Sequence, residues 1–280
     1  MPRRAVLLAA RGLEAATGRT EAALRALGPA ASWTRQSAGL EVVGHRPWPL
    51  PGRPWLMGQT WERLLFAHWR IEPDRLRRVI PAELTPDTHD GAAWIGLTPF
   101  EITGLRLRGT PPPPLLSRFP ELNLRTYVTV AGRPGIHFFS LDAGSRAAVA
   151  AARSAYRLPY AYARMSVRAR GDRTQYQSRR ERELAAFAGE YGPSGPEFTA
   201  RPGTLEHFLA ERYCLYVVDE HRRILRGDIH HPPWPLQPAT CSLSENTVAS
   251  AAGITLPDEA PLLHYCRRQD MVAWSLAPAR

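Results

Sequence analysis

Asn123, Arg125 and Tyr127 alternate through a segment that reads as a β-strand, so their side chains leave one face of it. An amide, a guanidinium and a phenol side by side can hold a carboxylate or an enolate, because each offers a hydrogen-bond donor to negative charge. The same triplet could instead form an outward polar face, or a network tying Arg125 to a neighbouring carboxylate, and the spacing leaves both readings open. His68 follows the apolar run 64–67 and is either a general base or a buried histidine bonded to backbone. His68, Tyr127 and Glu211 form the candidate catalytic set. Tyr160, Arg212 and His230 join Asn123 and Arg125 as candidate ligand-binding residues. Arg212 beside Glu211 either orients an anion or balances a buried charge.

Other titratable residues are less well placed. His137 and Asp142 fall on opposite faces of their strand, which argues against a dyad, and Asp142 just before Gly144 and Ser145 suits a turn or helix cap. The adjacent His230 and His231 point to opposite faces, so at most one of them faces a cavity. His68, His137, His230 and Glu211 could supply metal donors, but no H-x-H spacing announces a site, and neither metal nor cofactor is expected. Cys214, Cys241 and Cys266 are odd in number and widely spaced. They suit neither a disulfide framework nor a zinc knuckle, and fit a reducing cytoplasm.

The net charge of +10 comes from arginine alone, as the 280 residues contain no lysine. These arginines recur in nearly every segment, whereas nucleic-acid binders gather charge on one face beside stacking aromatics, so nucleic acid is a disfavoured partner. No apolar run is long enough to cross a bilayer, and Arg11 cuts the apolar start at 5–10 short of a signal core. A cytoplasmic protein without membrane association is expected. A homo-oligomer remains open.

The elements that must position these residues are mostly strands. Residues 1–44 are rich in alanine and arginine, interrupted by glycine, and read as a loosely ordered arm that buries little. The domain then spans 45–280, opening on an extended proline-aromatic stretch at 45–51. Pro73 starts a short helix with Leu76, Val79 and Ile80 as its apolar stripe, and Pro81 stops it. Strands are expected at 93–103 and at 122–131, the latter turning through 132–135 into 136–142. Ser145 caps a helix to Tyr156, and a hairpin follows from 160 to 182. A short helix at 204–209, strands at 212–218 and 223–229, and a final strand region at 262–276 complete the reading. Many strands with tight turns and few short helices predict an α+β, mainly β fold whose antiparallel sheet closes or folds on itself. The proline run 111–114 cannot join a ladder and reads as a surface loop or lid.

Four blocks carry a family resemblance: Leu64-Leu65-Phe66-Ala67-His68-Trp69, Glu121-Leu122-Asn123-Leu124-Arg125-Thr126-Tyr127-Val128, Glu211-Arg212-Tyr213-Cys214-Leu215-Tyr216, and Ile229-His230-His231-Pro232-Pro233-Trp234-Pro235-Leu236. Together they resemble the YqjF-like family of uncharacterised bacterial proteins, over about residues 45 to 276. That family is placed in the acetoacetate decarboxylase-like superfamily, which implies a cone-shaped antiparallel closed β-barrel with a central cavity. Decarboxylases of the superfamily carry a Pro-Lys-Lys stretch, in which one lysine forms an imine and the other lowers its pKa. The comparable stretch here is Leu158-Pro159-Tyr160-Ala161, with both lysine positions lost. Arginine cannot replace them, because a guanidinium that stays protonated has no lone pair to attack a carbonyl.

A lysine Schiff base is therefore excluded. What is expected is a barrel that binds or transforms a small, anionic oxo- or hydroxy-acid, with Arg125 on the anion and His68 or Tyr127 moving protons. The alternative is a non-catalytic barrel holding an apolar or aromatic ligand among Trp94, Phe100, Phe138 and Tyr160.

Overall fold

The computed structural model describes residues 28–114, 116–181 and 184–279. Long strands dominate: β1 (Met57–Ile71), β3 (Ala93–Leu107), β4 (Phe119–Val130), β5 (Arg133–Ala143), β6 (Tyr160–Arg170), β7 (Arg173–Arg180), β8 (Ala186–Pro193), β9 (Cys214–Val218), β10 (Ile224–His230), β11 (Gln237–Asn246) and β12 (Leu262–Pro278), with the two-residue β2 (Thr85–Pro86) at an edge. Helices α1 (Gly28–Ala38), α2 (Pro73–Arg77), α3 (Arg146–Tyr156), α4 (Leu205–Ala210) and α5 (Val248–Ala251) are short. The chain is thus mainly β, as expected. None of its described helices is long and apolar enough to cross a membrane.

The pairings return on themselves. β1 lies between β12 and β3, β3 pairs with β4, β4 with β5, β5 touches β9 at Ile136 opposite Leu215, and β9 leads through β10 back to β12. Strands β6, β7, β8 and β11 form a second path from β5 to β12. Among the described residues, only the contacts of β5 with β6 and β9 are parallel. Side chains of β1 feed two different cores: Leu65, Ala67 and Trp69 pack in one, Leu64 and Phe66 in another. Both faces are buried, which is why this strand reads as a continuous apolar run with no alternation.

The β4–β5 hairpin carries most of the site. Its reversal is tighter than 132–135, because Ala131 and Gly132 make the turn with φ of 50° and 74°, and Arg133 and Pro134 already belong to the ladder. Further along, Leu124 faces Ser140 while Arg125 faces Phe138, which leaves Phe139 as an extra bulged residue. The bulge undoes the simple alternation of β5. Ile136, Phe138 and Leu141, rather than His137, Phe139 and Leu141, come to line one cavity. Ser145 caps α3 by accepting from the Ala148 amide, and Thr204 caps α4 through His207, both at the expected helix starts.

The N-terminal segment departs from expectation. Residues 1–27 lie outside the described residues, but α1 and the turn Gly39–Glu41 pack on the sheet, so the loose arm does not extend to 44. Gln36 is buried, donates to the Gly104 carbonyl at 3.1 Å and accepts from Arg106 Nε at 2.8 Å. The Arg106 guanidinium lies 4.9 Å from the ring centres of both Trp33 and Trp55. Gly58 makes this approach possible, since a Cβ there would stand 2.3 Å from Gln36 Oε1. A single glutamine and a tryptophan in a run of alanine and serine give no periodic signal, so the docking was invisible in the sequence.

Candidate active site

A cavity of about 760 Å³ opens between the β3–β4–β5 sheet, α3 and the proline run. Its polar wall comes from β4, where Glu121, Asn123 and Arg125 project inward at successive alternate positions, with Thr98 of β3 opposite Asn123. Tyr160, the first residue of β6, reaches across to Glu121 and donates to its Oε2 at 3.0 Å. The remaining walls are largely aliphatic and aromatic, including Phe100, Ile102, Phe119, Phe138 and Leu141, with Gln59, Arg106, Thr110 and Asp228 as further polar residues.

Glu121 is the chemically distinctive group. It is 3% exposed, and burial raises its carboxyl pKa to about 8, outweighing the hydrogen bonds from Tyr160 and Asn123 that favour the ionised form; Asp142 nearby adds a further upward push. Asp142 itself is held by Arg180 at 2.6 Å. The Tyr160 phenol is pushed well above its ordinary range by burial and by Glu121, so it stays a neutral donor. At neutral pH the Glu121 side chain is mostly an acid, within about one unit of the pH at which it could also act as a base.

Arg125 sits beside it, 7% exposed, and no carboxylate pairs with it among the described residues. Its Nη2 donates to Tyr127 Oη at 3.2 Å and to the Leu209 carbonyl at 3.3 Å, and its guanidinium stacks on Phe66 at 5.0 Å. Arg125 Nε, Asn123 Oδ1 and Thr98 Oγ1 are buried without a hydrogen-bond partner. A buried cation and polar atoms with free valences on one wall are chemically able to hold an anionic, oxygen-rich group.

The residues expected from sequence divide sharply. Asn123, Arg125 and Tyr160 line the cavity. Tyr127 and His68 stand behind Arg125 as its support. Tyr127 donates its O–H to the Leu209 carbonyl at 2.8 Å, so its oxygen can only accept from Arg125 and from His68, whose Nε2 is 2.7 Å away. That assigns the Nε2–H tautomer to His68, and burial beside Arg125 holds its pKa well below the ordinary imidazole value, keeping it neutral. Neither His68 nor Tyr127, expected to move protons, lines the cavity; both lie behind Arg125, which Tyr127 holds through a hydrogen bond and His68 through Tyr127. Gly96 leaves the space they need, since a Cβ there would lie 3.1 Å from the His68 ring and 3.3 Å from Arg125 Cγ.

Glu211, Arg212 and His230 do not reach the cavity, which corrects the roles expected for them. Glu211 accepts from the Tyr213 hydroxyl and from the Trp234 amide at 3.0 Å. Arg212 pairs with Asp87 at 2.5 Å, donates to the Phe208 carbonyl at 2.6 Å and stacks on Phe208 and Tyr127. His230 bonds the Gly39 carbonyl at 2.8 Å and Arg46, closing the face that the N-terminal segment covers. With these partners His68, His137, His230 and Glu211 do not converge, and no group of three potential metal ligands occurs among the described residues. Of the aromatic set, Phe100, Phe138 and Tyr160 line the cavity, while Trp94 packs behind it with Tyr127 and Ile136. Glu121 was missed by sequence reasoning. The signal was present, because the alternation of Asn123, Arg125 and Tyr127 extends one step back to it.

The comparisons with known proteins agree with this frame. The model of DUF2071, described as an uncharacterized conserved protein, matches residues 58–270. The chain belongs to this family. It is 48% identical over 228 residues to the uncharacterized protein YqjF of Bacillus subtilis (strain 168), covering 81% of this chain and 94% of that one. Among solved structures, the enduracididine biosynthesis enzyme MppR complexed with pyruvate superposes with a TM-score of 0.56 at 13% identity, over 83% of this chain and 93% of that chain. An acetoacetate decarboxylase from Legionella pneumophila superposes with a TM-score of 0.53 at 12% identity, over 85% and 93%. At such identities the likeness is one of fold, and in this DUF2071 member the chemistry must be argued from Glu121, Arg125 and their neighbours.

Proposed function

We propose that this chain is a cone-shaped antiparallel β-barrel, cytoplasmic, that binds a small oxo- or hydroxy-acid in its cavity and interconverts the keto acid with its enolate without an imine. The observation that carries this reading is the pair on β4: a buried arginine with no carboxylate partner among the described residues, two residues along the strand from Asn123 and four from a buried glutamic acid held near pKa 8. Arg125 and Asn123 hold the substrate carboxylate. The ionised form of Glu121, about a tenth of the ligand-free protein at pH 7 and a smaller share of the complex, takes a proton from the carbon next to the carbonyl, and the C–H electron pair becomes the enolate. A hydrogen bond from Thr98 stabilises the enolate oxygen, joined by the Tyr160 O–H once protonation of Glu121 releases it from the carboxylate, and Glu121 returns the proton. The fold neighbour MppR, complexed with pyruvate, supports an oxo-acid ligand for such a cavity.

The test is deuterium wash-in at the methylene carbon of α-ketobutyrate in D₂O, followed by proton NMR. Catalysed exchange that disappears in Glu121→Gln is expected, and exchange at the buffer rate alone overturns the enzymatic reading. The largely apolar walls favour a second reading, a non-catalytic carrier of an apolar or aromatic acid. Tight binding without exchange would establish it.

A further inference from the structure

The cavity inverts the usual distribution of polarity. The polar residues of its β3–β4 floor, Thr98, Glu121, Asn123 and Arg125, are 1%, 3%, 7% and 7% exposed, while Leu56, Leu107 and Leu116, which line it as well, are 37%, 56% and 47% exposed. Scattered surface leucines need no explanation, but three gathered around one opening form a patch that gains by being covered. Between rim and floor the wall along the proline run and α3 is apolar, with Leu105, Ile102, Phe119 and Pro112 on one side and the alanines of α3 on the other; the charged residues Arg106 and Asp228 that also line the cavity are engaged with Gln36 and Arg226. Ala147, Ala148, Ala151, Ala152 and Ala155 repeat on one face of α3, and their small side chains leave the passage wide.

Volume points the same way. At roughly 30 Å³ for each water-sized atom, 760 Å³ holds about 25 such atoms, whereas pyruvate has only about six. A ligand that engaged only the polar floor would leave most of the apolar wall and the leucine rim without contact.

We infer, building on the oxo-acid reading, that the ligand carries an unbranched or aromatic apolar tail of several carbons, its acid head on Arg125 and Asn123 and its tail running along α3 to the Leu56–Leu107 rim. Head recognition and tail recognition are then separable. The head sets orientation and chemistry, and the tail supplies affinity in proportion to its buried length.

Calorimetric titration with pyruvate, α-ketohexanoate and α-ketooctanoate tests this. The expected result is a gain of about three- to fourfold in affinity for each added methylene, which falls in Leu107→Asp, with α-ketooctanoate weakened at least tenfold more than pyruvate. Leu107 is more than half exposed, so this substitution leaves the fold intact. Affinity equal for the short and long acids overturns the tail and leaves the oxo-acid reading standing. Octanol binding as tightly as α-ketooctanoate, with no effect of Arg125→Met on either, overturns the head and with it the oxo-acid reading. A dimer in sedimentation that Leu107→Asp dissociates would show that a second copy covers the rim, and would also overturn the tail.

Discussion

Glu121→Gln is expected to make the protein more stable than the natural chain at pH 9, by about 4–5 kcal/mol, and to abolish proton exchange on an oxo-acid. A carboxyl whose pKa rises from an ordinary 4.5 to about 8 on folding binds its proton more tightly in the folded state. Its contribution to stability is therefore fully present below about pH 4.5 and is lost as the pH rises through 8. Above that, the folded protein must hold a buried, ionised carboxylate whose solvation it does not replace. Glutamine removes this cost while keeping the acceptor for the Tyr160 hydroxyl, and Asn123 can turn its amide so that the unpartnered Oδ1 accepts from the new amide. The gain should be near zero at pH 4, grow to pH 8 and then level off. Five histidines held low by burial, His68, His137, His230, His231 and His264, act in the opposite direction, withdrawing stability as the pH falls below about 6.5. They are common to both proteins and cancel in the difference. Denaturant unfolding of the two proteins across this range reads the effect, and equal stabilities at pH 9 would mean that Glu121 ionises on folding like any exposed glutamate. A residue that destabilises the fold where it is ionised and sits on a cavity wall is the signature of a functional rather than a structural acid.

Arg125→Met is expected to lower the affinity for an oxo-acid at least a hundredfold while leaving thermal stability unchanged or slightly raised. A charge-assisted, hydrogen-bonded pair inside a dry cavity contributes about 3 kcal/mol or more to binding, and its loss leaves the ligand carboxylate buried without a partner. The fold itself does not depend on this charge. Arg125 has no carboxylate partner among the described residues to orphan, Leu209 keeps its bond from Tyr127, and the methionine stem covers the Phe66 ring as the arginine stem does. Thermal melting and calorimetry on the same preparation separate the outcomes. A large fall in melting temperature would make Arg125 a structural residue, and unchanged affinity would remove it from the site. Arg212 offers the contrast: its pairing with Asp87 and its place over Tyr127 make Arg212→Met destabilising.

How much of this was legible follows from which interactions are local. The β4–β5 hairpin and the caps at Ser145 and Thr204 are set by neighbours in sequence, and were located correctly, although the hairpin's turn is tighter than expected. β1 was obscured because both its faces are buried, so that 64–67 shows no alternation. β8 and β11 were not recognised at all; β8 contains Gly189, Gly192 and Pro193, which read as punctuation, and Gly192 lies so close to the Asp172 carbonyl that only glycine fits. The Phe139 bulge could not be anticipated from one strand alone, since it is a mismatch between two. The site was half legible for the same reason. Period two along β4 found Asn123 and Arg125, and one more step would have found Glu121. The fates of His230 and Glu211 were decided by Gly39, Tyr213 and Trp234, residues brought to them by the fold. The missing lysine was the firmest reading, and the structure gives it content: Tyr160, at the position compared with the lysine pair, faces the cavity and donates to Glu121.

The most direct test is the pH dependence of α-ketobutyrate binding, measured by calorimetry between about pH 6.5 and 9.5 on the natural chain and on Glu121→Gln, because an ionised Glu121 repels the anion that Arg125 captures and weakens its binding without being barred from the complex. With a pKa of about 8, the neutral fraction of Glu121 falls to roughly 3% at pH 9.5, so the natural chain should lose up to about thirtyfold in affinity across this range while the glutamine variant stays flat. Equal, pH-independent affinities in both proteins, or a fall that persists in the variant, would contradict it.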